Sequence, residues 1–264
     1  ARARSSRTVS RRSYSSSHDH LLSELPAREP KLIFDDLVPG NSHRLNVSLA
    51  TFLPPKWLPK SARSGELPPS TPDLSLPAAH HLVYFNPILP ADKLLPDGTD
   101  PNQSPGEPFV RRMWAGGSVM FPSGGLSLDG RRHVCVEGIR DVSIKGRPGS
   151  EKVFVGIERR VAPVKSQDES EQSIRERLWT PTAEEWGDAQ LIERRNIVFM
   201  HERTPQELEA AADTSKKSPQ KKLEPQHKPE FEHTFVPTPS LLFRYSALTL
   251  NAHAIHLDPH YCRT

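Results

Sequence analysis

The 264-residue chain carries a formal charge of +3, 35% apolar residues and 27 prolines. That is about double the usual proline usage, so long stretches must be loop or tail, and the packed core is smaller than the length suggests. Five arginines (Arg2, Arg4, Arg7, Arg11, Arg12) and no acid fall within residues 1–17; the remainder is slightly acidic, which argues against nucleic acid as a partner. Cys135 and Cys262 lack a CxxC neighbour, pointing away from a disulfide framework or a zinc site, and no apolar run approaches the roughly 18 residues of a membrane-spanning helix.

The opening ARARSSRTVSRRSYSSS (1–17) is rich in Arg and Ser, the composition of a mitochondrial transit peptide. Arg12-Ser13-Tyr14-Ser15 resembles a processing site, so a matrix location is expected; a disordered basic tail is the plainer alternative. Residues 18–80 mix polar and Pro-rich pieces with one ordered element, HRLNVSLATFL (43–53). The apolar run His80-His81-Leu82-Val83-Tyr84-Phe85, bounded by Asn86-Pro87, reads as a buried strand or a helix end. Its histidine pair does not make a metal site, which needs three or four ligands.

In RRMWAGGSVMF (111–121), Gly116-Gly117 suggests a tight turn leading into a packed strand; no GxGxxG context makes it a phosphate cradle. HVCVEGIRDVSIKG and KVFVGIERRVA flank Gly146–Ser150 and predict a β-hairpin. Lys145, Arg159 and Arg160 are expected to face solvent, as charges on edge strands do. Residues 164–190 read as partly helical and 193–200 as a strand. The Lys- and Pro-rich stretch 204–230 reads as a disordered insert.

Thr238-Pro239-Ser240 is a turn or helix-cap signal. A helix over Leu241–Thr249 would deliver Asn251, His253 and His256 across its end into a loop. Histidine exchanges protons near neutral pH, so such a loop can serve a pocket. Spacing alone nevertheless favours ordinary surface or satisfied histidines.

The segment FRYSALTLNAHAIHLDPHY (243–261), preceded by RRMWAGGSVMF and the hairpin at 133–162, resembles the MaoC-like hydratase family. The likeness is to its branch of mitochondrial type-2 hydroxyacyl-thioester dehydratases and mesaconyl-C4-CoA hydratases, and it extends over roughly residues 30–258. It implies an α+β double hot dog, each half wrapping an antiparallel sheet around a central helix: residues 30–162 the non-catalytic half, residues 175–264 the catalytic half interrupted by the insert 204–230. It implies dehydration of (3R)-3-hydroxyacyl thioesters, or hydration of enoyl- or mesaconyl-type thioesters, with acyl carrier protein or coenzyme A as the carrier, no cofactor and no metal; a homodimer is compatible. His256 aligns with the family's catalytic histidine, the general base or acid. Five residues earlier the broader family has aspartate where this chain has Asn251, whose amide cannot exchange protons but can orient water or the substrate hydroxyl. His253 could share the proton transfer, and Asp258 is expected to orient a histidine or cap a turn. The family continues beyond the position of Thr264 through more sheet and a glycine-containing loop, so the second hot dog is expected to be incomplete. A catalytically inactive acyl-binding subunit is the alternative from another class.

Overall fold

The computed structural model describes residues 17–121, 125–210, 227–259 and 261–263. The expected transit peptide and most of the expected insert lie outside the described residues; within the insert, residues 205–210 are helical.

Five strands form one antiparallel sheet: β1 (Lys31–Asp36), β2 (Arg111–Met120), β3 (Arg132–Lys145), β4 (Lys152–Pro163) and β5 (Leu191–Met200), in the order β1-β3-β4-β5-β2. The helix α1 (Pro39–Leu49) follows β1 and covers one face. This sheet wrapped on a helix, with β2 carried to the far edge, is a hot dog. The sequence expectation ended the first half at residue 162 and grouped the strand after 175 with the second. In the structure β5 pairs with β4 on one side and β2 on the other, so this strand completes the sheet.

Side-chain alternation assigns the faces. Ile33, Cys135, Val161 and Leu191 point to the α1 side, where they meet Leu45 of α1 and Tyr84 and Phe85 from the preceding loops. Val134, Val136, Ala162 and Ile192 point the other way, onto Ile174 and Leu178 of helix α2 (Glu171–Leu178). In β3 the apolar positions change parity after Val136, and a bulge between Ile139 and Asp141 restores it. Ile139, Val142 and Ile144 thereby join Val153, Val155 and Phe199 in a cluster at the far end of the sheet. The extra residue, Arg140, stacks its guanidinium 3.7 Å from the centroid of the Trp179 ring and donates to Glu158 and to the Thr180 carbonyl.

RRMWAGGSVMF is an uninterrupted edge strand rather than a turn into a packed one. Its register shifts between Trp114 and Gly116, where Gly116 takes φ +133°, a bulge conformation that favours glycine. Because β2 is the outer edge, Trp114 remains 66% exposed.

Arg159 and Arg160 depart furthest from expectation: both are buried, not solvent-facing. The reason is that β4 is a central strand, so its two faces are covered from both sides. Arg160 donates to Glu158 and to the carbonyls of Leu178, Glu185 and Trp186, holding the 178–186 loop against the sheet. Arg159 pairs with Glu137 (2.9 Å) and Glu193 (3.1 Å) and donates to the Phe85 carbonyl.

The His80–Val83 run is a buried 3₁₀ turn, neither a strand nor the end of an α-helix. Its role is to clamp α1: Ser42 Oγ lies 2.7 Å from His80 Nδ1, and the Tyr84 hydroxyl accepts from the Ser42 amide while donating to the Val38 carbonyl. Burial, reinforced by the charge of neighbouring His81, pushes the His80 pKa down to about 4. Between about pH 6.5 and that value the unfolded chain takes a proton that the folded chain refuses. The stabilisation is therefore complete above pH 6.5 and lost as pH falls towards 4, about 2–3 kcal/mol in all. Urea unfolding at pH 7, 5.5 and 4 should show the decline, and His80→Gln should flatten it above pH 4.5; an equally steep decline in the variant would assign the effect elsewhere.

Candidate functional site

The helix α3 (Pro239–Leu248) starts as the sequence indicates: Thr238 is extended and its side chain accepts from the Leu241 amide, with Pro239 in the first turn. It ends where Leu250 adopts a left-handed backbone (φ +49°) and the Asn251 amide donates to the Ser246 carbonyl. Tyr245 and Leu248 of α3 pack against the cluster beneath α1, so the helix is docked on the hot dog described above.

Beyond α3 the chain is fixed by short contacts. Asn251 Oδ1 accepts from the His253 amide (3.1 Å), forming an Asx turn that opens the single helical turn Ala254–Leu257. The Ala254 amide donates to the Asp97 carbonyl (2.8 Å), and His253 Nε2 lies 3.5 Å from Asp97 Oδ2. Gly98, at φ +79°, lets the 95–99 loop pass against this segment: a Cβ there would sit 2.1 Å from the Ala252 carbonyl oxygen. Gly98→Ala is thus expected to cost about 2–3 kcal/mol locally and to strip hydrogen-exchange protection from the Ala254 amide. Unchanged protection would show that the loop does not hold the segment.

The three expected residues are close in the chain but do not converge on one cavity. Asn251 lines a cavity of about 270 Å³ with Glu137, Arg195, Tyr245, Thr249 and Arg112. His253 lines a second, of about 410 Å³, with Asp97, Arg111, Arg112 and Tyr261. Arg112, paired with Asp97 at 3.7 Å, is common to both. The His256 ring stands perpendicular to the His253 ring with centroids 6.1 Å apart, and the His256 amide donates to the His253 carbonyl (2.9 Å). Burial above all, with the charges of Arg112 and His256, pushes the His253 pKa below its ordinary value, while Asp97 pulls the other way. The imidazole is neutral at physiological pH and able to accept a proton.

Sequence reasoning did not single out Asp97, Gly98, Arg112, Glu137, Arg195 or Tyr245. The local signals were the segments themselves: RRMWAGGSVMF contains Arg112, FRYSALTLNAHAIHLDPHY contains Tyr245 and HVCVEGIRDVSIKG contains Glu137.

The antiparallel sheet wrapped on a helix, with the polar histidine-bearing segment docked beside it, places the molecule among hot-dog proteins. The chain matches the hydroxyacyl-thioester dehydratase type 2 family over residues 79–264 and belongs to it. It is 30% identical over 213 residues to the mitochondrial hydroxyacyl-thioester dehydratase type 2 of Schizosaccharomyces pombe, covering 76% of this chain and 65% of that protein. It is 30% identical over 203 residues to the mesaconyl-C(4)-CoA hydratase of Chloroflexus aurantiacus, covering 74% and 60% respectively. The matched regions thus span less than two thirds of the length of either relative.

Proposed function

We propose that the protein is a hydro-lyase that interconverts (3R)-3-hydroxyacyl and trans-2-enoyl thioesters, with the dehydration direction serving mitochondrial fatty-acid synthesis and acyl carrier protein or coenzyme A as the carrier. The observation that carries this reading is the family match across the segment that presents Asn251, His253 and His256. In dehydration the Cα–H bond breaks, its electron pair forms the C=C bond, the Cβ–O bond breaks, and the departing hydroxide takes a proton to leave as water. His256 is the group that removes the Cα proton and returns one to the hydroxyl, with a single histidine alternating as base and acid. Asn251 cannot replace the aspartate as a proton donor; its role is to order the turn on which the histidines sit and to orient the hydroxyl or water. The neutral His253 is placed to share the proton traffic. A mitochondrial site of action is in keeping with the Arg-rich opening and with the name of the yeast relative.

A dicarboxylic enoyl thioester is the second substrate to test, because Arg112 and Arg195 line the cavity next to Asn251 and could face a free carboxylate. Assaying the protein with crotonyl thioesters on acyl carrier protein and on coenzyme A, then with mesaconyl-CoA, separates the two. Turnover of crotonyl thioesters is expected, and failure on every enoyl thioester would leave the non-catalytic acyl-binding reading.

A further inference from the structure

At the end of the sheet where β4 begins and β5 ends, three side chains from distant parts of the chain converge. His18 precedes β1, Glu151 immediately precedes β4, and His201 immediately follows β5. The neighbouring pair Lys152 and Met200 is a register position of the β4–β5 ladder, so strand pairing itself holds Glu151 beside His201. Their ligating atoms and that of His18 all lie within 4.8 Å of one another, and His201 Nε2 is 3.6 Å from Glu151 Oε2. Glu151 is only 6% exposed, and His201 Nε2 is a buried nitrogen that makes no hydrogen bond among the described residues.

The surroundings are built rather than incidental. The buried Phe109 ring packs edge-on against both imidazoles, its centroid 4.8 Å from each. Leu21 and Leu25, just after His18, are buried in the same apolar cluster as Phe109, Val153 and Phe199, so the segment carrying His18 is anchored. A carboxylate and two imidazoles form the donor set that first-row divalent ions favour. In a tetrahedral zinc shell, donors about 2.0–2.1 Å from the ion stand about 3.3 Å apart. The Glu151–His201 pair, at 3.6 Å, is close to that separation, and the His18 ligating atom lies within 4.8 Å of both.

We propose that His18, Glu151 and His201 bind a divalent transition-metal ion of the zinc class, with water completing the shell, and that the ion fastens the segment before β1 to the ends of β4 and β5. Sequence spacing could not disclose this site, since its three ligands belong to three separate segments and none has a ligating neighbour at a finger-like interval.

The test uses the full chain stripped by a chelator and titrated with Zn(II) by calorimetry and with Co(II) by visible absorption. One equivalent should bind, Co(II) should give the d–d bands of a nitrogen- and oxygen-ligated ion, and the thermal midpoint should rise with Zn(II). Glu151→Gln, His201→Gln and His18→Gln should each weaken binding at least tenfold, whereas His227→Gln, at an exposed histidine outside the cluster, should not. If Glu151→Gln or His201→Gln fails to fold, His18→Gln decides, because it lies on the anchoring segment outside the sheet. No stoichiometric uptake, or uptake of equal affinity in His18→Gln, would overturn the proposal and leave the cluster as an ion pair.

Discussion

Arg159→Leu is expected to lower the unfolding free energy by about 3–5 kcal/mol. The guanidinium is only 2% exposed, and its partners Glu137 and Glu193 are 4% and 5% exposed. Although burial alone would raise the Glu193 pKa, the His81 imidazole 3.5 Å away and the charges of Arg195 and Arg159 hold it well below the usual carboxylate range. Removing Arg159 strands both carboxylates in a medium where an unpaired charge is costly. Their losses are unequal. Glu193 keeps Arg195, which donates to it at 2.7 and 2.9 Å, while among the described residues Glu137 keeps a neutral donor, Gln103 Nε2 at 2.7 Å. Glu137→Gln added to Arg159→Leu should therefore recover more than half of the loss. Arg159→Lys should be intermediate, since one ammonium cannot serve Glu137, Glu193 and the Phe85 carbonyl in the fork geometry that arginine supplies. Urea unfolding at pH 7 measures all three, and a loss below about 1 kcal/mol for Arg159→Leu would mean that the carboxylates relax to water.

The network also shows what the chain could and could not disclose before it was folded. Elements defined by local chemistry were legible: the hairpin around Gly146–Ser150, the Thr238 cap of α3, and the polar segment from Asn251 to His256. Features set by position in the sheet were not. Arg159 and Arg160 resemble edge charges because adjacent arginines on a strand usually face water, and only the order β1-β3-β4-β5-β2 reveals that their strand is central. The same order sets the partners of β5, which the chain does not disclose: β4 and β2 lie on either side of it in space but both precede it in sequence. The parity change in β3 has meaning only through the bulge at Arg140. Gly98 carried no signal, because its reason is the backbone of Ala252, far along the chain.

Buried charge and the candidate site meet in one place. Glu137 and Arg195, both tied into the Arg159 network, line the cavity that Asn251 borders. The network therefore fixes the polar wall of that cavity, and a variant such as Arg159→Leu that leaves the chain folded should still disturb ligand binding there. Asn251 itself faces the cavity with its oxygen already engaged by the His253 amide, leaving its NH₂ group as the donor to a substrate hydroxyl or water.

His256→Ala is expected to reduce kcat for enoyl-thioester hydration by at least about 100-fold, the effect of losing a positioned acid–base group, equivalent to about 2.7 kcal/mol of transition-state stabilisation. Stability should hardly change, since the hydrogen bond that ties His256 to its turn is made by the backbone amide to the His253 carbonyl, not by the ring. KM should also hold, because on this assignment the imidazole acts on protons rather than on the carrier or acyl chain. Asn251→Asp makes the converse test: it preserves an acceptor for the His253 amide while restoring a carboxylate, and should shift the acid limb of the pH–rate profile without abolishing turnover. Activity unchanged in His256→Ala would move the proton transfer to His253, whose neutral imidazole lies 3.5 Å from Asp97. Activity absent from both the parent and the variant, with acyl thioester still bound, would instead make this a protein that holds the acyl chain without transforming it.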